Sequence, residues 1–143
     1  MLDSQATAVT SLDVAVNAKG QAVVAWTQEQ VPTGSNIWTS RMGEDGGFGI
    51  ATNPAGFFFF GNTVWTAIDP NGAALVVWEA ANVLQGMRSN RTGDSWTTPP
   101  TKFVGAELGS EDRVSIAMNA SGDGVVVWRA WIGRGLVLAV IFR

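Results

Sequence analysis

The side chains best suited to chemistry in this 143-residue chain are an indole-guanidinium-carboxylate set. Trp38, Arg41, Glu79, Arg129, Trp131 and Arg134 stand out from an otherwise apolar sequence. An indole face covers C–H groups, while Arg and carboxylate bond hydroxyls, so such a set could bind a carbohydrate. The alternative is that the indoles fill space between packed sheets. The chain contains no His, Cys or Tyr. This removes Ser-His-Asp and Cys-His nucleophiles and the usual zinc and copper ligand sets, and no disulfide can form. Carboxylate-pair chemistry remains open by composition. Glu29, Glu44, Asp45, Glu79, Asp94, Glu107, Glu111, Asp112 and Asp123 are its candidates, and a glycosidase would need two of them together. Most of them fall in turns, where solvation is the simpler reading. Asp69-Pro-Asn71 and Glu111-Asp112 offer oxygen ligands for calcium, but neither lies in a loop with several alternate ligands, so no metal and no cofactor is expected.

The elements that would position these groups are written in a phrase that occurs three times. It runs LDVAVNAKGQAVVAWT (12–27), VWTAIDPNGAALVVWE (64–79) and VSIAMNASGDGVVVWR (114–129). Gly20, Gly72 and Gly122 are 52 and 50 residues apart, and Trp26, Trp78 and Trp128 keep the same spacing. A period near fifty marks a repeat architecture. Each phrase reads as a hairpin. Leu12, Val14 and Val16 alternate with smaller or polar residues, as do their counterparts, which is the period of a strand. Asn17, Asp69 or Asn119 opens the turn by bonding the backbone ahead, and the glycine supplies a positive φ. The second strand is a solid apolar run, expected to be buried on both faces. A third strand follows and ends in Arg41, Arg88 or Arg143. Gly46-Gly47-Phe48 and Gly93-Asp94-Ser95-Trp96 are expected to open an outer fourth strand. Phe57 to Phe60 fall where a connecting loop belongs and would leave an apolar patch for a partner.

The pattern V-x-x-A-x-[ND]-x-x-G-x-x-V-V-W, followed by a strand ending in Arg and then G-G-[FW], resembles the blade repeat of bacterial β-propeller proteins. The resemblance covers nearly the whole chain. It implies an all-β, β-propeller-like fold of three four-stranded antiparallel blades, the last incomplete, within one domain. Blade 1 would span about 1–55, blade 2 about 61–105 and partial blade 3 about 112–143. Trefoil and prism folds also have three repeats of similar length, but their strands usually bury one face only. Ala15, Ala67 and Ala117 occupy one equivalent position, which suits the crowded innermost strand of a blade. The missing Tyr excludes the nucleophile of sialidase-type propellers, and Asp69-x-x-Gly72 does not have the spacing of their Asp-box.

A propeller has four to eight blades. Three blades would leave two faces bare, so self-association is expected, with two copies closing a six-blade ring. The resulting reading is a non-catalytic binding or scaffold module. A lectin with sites at blade junctions, a structural piece of a longer surface repeat protein and a carboxylate-dependent glycosidase are the alternatives. A net charge of −3 with scattered Lys and Arg argues against nucleic acid. The longest apolar run, 136–142, is too short to cross a bilayer as a helix. The family resemblance implies a bacterial, surface-associated protein, while the residues themselves leave the compartment open.

Overall fold

Three turns nucleate the architecture, and they are nearly superimposable in their bonding. In the first, the Gly20 N–H donates to the Asn17 carbonyl at 3.0 Å, and the Asn17 N–H donates to the Gln21 carbonyl at 3.0 Å. The Asn17 side-chain oxygen also accepts from the N–H groups of Lys19 and Gln21. Asp69 repeats this with Asn71 and Ala73, and Asn119 repeats it with Ser121 and Asp123. Gly20, Gly72 and Gly122 have φ of 79°, 95° and 87°, where a Cβ would be strained.

In this computed structural model, residues 7–30, 34–58, 63–81, 83–98, 100–107, 113–130 and 136–142 are described. They form three antiparallel sheets. The first contains β1 (Val9–Val16), β2 (Ala22–Gln30), β3 (Gly34–Met42) and β4 (Phe57–Phe58) in that order. The second contains β5 (Val64–Ile68), β6 (Ala74–Ala80), β7 (Val83–Arg88) and β8 (Thr101–Glu107). The third contains β9 (Val114–Met118), β10 (Gly124–Ala130) and β11 (Leu136–Phe142), with β10 in the middle. The three hairpins share one register: Leu12 faces Trp26, Val64 faces Trp78 and Val114 faces Trp128.

Alternation then decides how the sheets stack. Asp13 on β1 accepts from the Thr66 N–H at 2.7 Å and the Thr66 hydroxyl at 3.1 Å, so this face of sheet one looks at sheet two. Ala25 and Ile37 on that face pack with Val64, Val76 and Trp78. The opposite face of sheet two carries Leu75, Val77 and Leu84. They pack with Val114, Val126, Trp128 and Phe142 of sheet three. Phe103 of β8 joins this core, 5.8 Å from the Trp128 ring and edge-on to Phe142 at 5.5 Å. Trp26, Trp78 and Trp128 are all buried.

Three expectations change. The solid apolar run is buried on both faces in β6, but β10 exposes Val125 and Arg129, because the described residues cover sheet three on one side only. The outer strands start later than the aromatic that was expected to open them. Phe48 and Trp96 make single bridges to Met42 and Ser89, whereas the paired outer strands are β4 and β8. Phe57–Phe58 is therefore the outer edge of sheet one rather than a connecting loop, while Phe59 and Phe60 lie outside the described residues. Finally, the Arg endings are not all equivalent. Val23 faces Arg41 and Leu75 faces Arg88, but Val125 faces Ile141. The pairing register places Ile141 in the arginine position of sheet three, and Arg143 lies outside the described residues.

Candidate functional site

Arg41 sits at the end of β3 on the face that looks at sheet two. Its Nη1 donates to the Ser89 hydroxyl at 2.8 Å, and its Nη2 donates to the Gly72 carbonyl. Ser89 Oγ also accepts from the Ala74 N–H at 2.9 Å and donates to the Asn90 carbonyl at 2.9 Å. The third strand of one sheet is thus tied to the hairpin turn of the next. Burial pulls the Arg41 pKa down, and Asp69 and Asp94 oppose that pull. Gly93, with φ of 79°, passes so close to the guanidinium that a Cβ there would collide with it. The second junction has a related arrangement, where the Arg88 guanidinium lies against Gly122.

Beside Arg41 a cleft of about 420 Å³ opens between the first two sheets. Thr39, Ile50, Thr52, Asp94 and Trp96 line it with Arg41. Thr39 and Thr52 are held by mutual backbone bonds of 2.8 Å, and their hydroxyls lie 3.2 Å apart. Trp96 is half-buried and packs on the core shared by sheets one and two. It also borders a second cleft of about 400 Å³ with Arg88, Ser89, Asn90, Ser95 and Thr97. An indole, two hydroxyls, a carboxylate and a guanidinium therefore meet at one sheet junction. Together they can cover apolar C–H groups and bond hydroxyls.

This is not the set that the sequence singles out. Trp38 and Arg41 are three residues apart on an unbroken strand, so they project to opposite faces. Trp38 is paired with Trp26 instead. Glu79 lies next to Trp78 and on the other side of sheet two, paired with Leu84 and facing sheet three. Burial raises its pKa. Arg129 is exposed on the far face of sheet three, opposite Val137. Trp131 and Arg134 lie outside the described residues. Of the four candidates among the described residues, Arg41 alone lines the cleft. Trp96 and Asp94 join it through the turn 93–96, whose place in the repeat matches 46–48. That correspondence was the available signal, but it points to a strand opening rather than to a cleft wall. Among the described residues, no three His, Cys, Asp or Glu side chains are grouped as a metal site, and no helix is long and apolar enough to cross a membrane. A search against protein-family models finds no match for this chain, and a search of curated proteins finds none either.

Proposed function

We propose that the chain is a non-catalytic β-propeller-type module that closes into a ring by self-association. Two copies would supply six sheets, and the ring would act as a binding or scaffold unit. The observation that carries this reading is the direction of stacking. Sheet one turns its Asp13 face to the Val64 face of sheet two, and sheet two turns its Trp65 face to the Val114 face of sheet three. The stack is therefore head to tail, and one face of each kind is left at its ends. Leu12, Val14 and Val16 are 68%, 53% and 60% exposed at one end, and Ile141 is 60% exposed at the other. Apolar rows of this kind mark interaction surfaces. The resemblance to blade repeats points the same way. Light scattering on a size-exclusion column tests the proposal. The expected mass is twice the 15.1 kDa of one chain, and a stable monomer at micromolar concentration overturns it.

The cleft at Arg41 favours a second reading, a carbohydrate-binding module. Its support is the convergence of Trp96, Asp94, Thr39 and Thr52 at one junction. A glycan array on the wild type and on Trp96→Ala tests it. Binding that is lost in the variant is expected, and an array without signal counts against it.

A further inference from the structure

The two bare end faces are not alike, and the internal junctions show how they would fit. At the first junction, Asp13 meets Thr66, and the Ser11 hydroxyl accepts from the Val64 N–H at 3.3 Å. The hairpin turns are linked as well. Asn17 Nδ2 donates to the Asp69 carbonyl at 3.0 Å while also donating to Gln21 Oε1 at 2.8 Å. At the second junction, Asn71 Nδ2 donates to the Ala120 carbonyl at 3.0 Å. A side chain of the first turn and one of the second thus each bond the backbone of the turn that follows. In the third turn, Asn119 Nδ2 donates to Asp123 Oδ2 at 3.1 Å. That is the counterpart of the Asn17–Gln21 bond, and the amide has a second N–H to offer.

We infer that the bare face of sheet three receives the bare face of sheet one from a second copy, in the register of the internal junctions, with an apolar seam in place of the arginine strut. The inference rests on the ring reading above. In that register Ser115 takes the place of Asp13, and Val14 of the other copy takes the place of Thr66. Asn119 Nδ2 is directed at the Asn17 carbonyl of the other copy. The arginine position is filled by Ile141, beside Val125, which is 36% exposed. Both residues are on the same face as Ser115 and Ala117. A half-buried guanidinium stands at each internal junction, Arg41 bonded to Gly72 and Arg88 lying against Gly122, whereas the seam brings Ile141 and Val125 against aliphatic side chains of the other copy. Contacts of that kind do not weaken with salt, because screening acts on charges.

The absence of cysteine makes this testable by thiol crosslinking. Val14→Cys and Ser115→Cys are made singly and together, treated with a short bismaleimide and run on a denaturing gel. The double variant is expected to give a two-chain product, and each single variant is expected to give none. A two-chain product from Val14→Cys alone would indicate like faces meeting and overturn the head-to-tail seam. Lack of crosslinking in a double variant that still has the mass of a dimer would overturn the seam and leave self-association standing. A monomeric wild type would remove both. As an independent check, Leu12→Glu and Ile141→Glu should each weaken dimerisation at least tenfold without changing the far-ultraviolet circular dichroism. Unchanged dimerisation in both variants would also overturn the seam.

Discussion

Arg41 of the first sheet donates to the backbone carbonyl of Gly72 in the hairpin turn of the second sheet. The contact joins residues from separate repeats. It couples the end of a third strand to the turn that orients the next hairpin, with the Ser89 hydroxyl as a second anchor at 2.8 Å. Replacing Arg41 with Ala leaves the buried Ser89 hydroxyl and the Gly72 carbonyl without this donor. Hydrogen bonds to charged groups contribute about 1.5–3 kcal/mol. Arg41→Ala should therefore cost about 2 kcal/mol in urea unfolding. Arg41→Lys should recover only part of it, because an ammonium does not reproduce the planar fork. Full recovery by Lys would show that charge alone is sufficient.

Gly20 and Gly72 have the same left-handed backbone but different surroundings. A Cβ on Gly20 meets nothing within 4 Å, whereas one on Gly72 would lie 2.8 Å from the Arg91 carbonyl and 3.0 Å from Gln21 Oε1. Gly20→Ala should cost about 1 kcal/mol, the strain of the conformation by itself. Gly72→Ala should cost at least about 1 kcal/mol more, and Gly72→Val more again. Asn71→Ser removes an exposed bond to Ala120 and should cost about 1 kcal/mol or less. Paired melting curves of the two alanine variants check the ordering. Equal losses would contradict the crowding at Gly72.

Trp128 is 1% exposed and packs on Phe103, and its indole N–H has no hydrogen-bond acceptor among the described residues. Trp128→Ala should cost about 3–5 kcal/mol, as for large aromatics in a core. Trp128→Phe should cost far less, because it keeps an aromatic ring and removes an unsatisfied buried donor. Chemical denaturation of both variants measures the difference. A phenylalanine variant as unstable as the alanine variant would indicate a polar role for the indole.

Burial raises the pKa of Glu79 in the folded chain. A carboxyl with a raised folded pKa holds more protons folded than unfolded. Its contribution to stability is thus fully present below the unfolded pKa and is lost as the pH rises through the folded pKa. Glu79→Gln should accordingly raise the melting temperature at pH 7, and the gain should shrink as the pH falls through the raised folded pKa towards the ordinary carboxylate range. Melting curves at several pH values test this. A constant difference between wild type and variant would contradict it.

What the sequence determined by itself is the local structure. The Asx-led turns close through bonds that span four residues, so Asn17, Asp69 and Asn119 with their glycines are readable without knowing what packs on them. Strand alternation and the pairing of Leu12, Val64 and Val114 with the repeated tryptophans follow from those turns, because turn length sets hairpin register. The burial of Trp26, Trp78 and Trp128 was legible for the same reason. Tertiary structure decided which face of each sheet meets a neighbour. A strand that is apolar on both sides does not say which side will be covered, and the described residues cover β10 on one side only. It also decided that Trp96 and Asp94 come to Arg41 from the next repeat, whereas the parting of Trp38 and Arg41 across the sheet follows from their spacing of three on one strand. The end of the third sheet's last strand is a related case. Counting strand ends puts Arg143 with Arg41 and Arg88, but hydrogen-bond pairing puts Ile141 there. Sequence order records distance along one strand, whereas side-chain placement depends on the partner strand and on the sheet stacked against it.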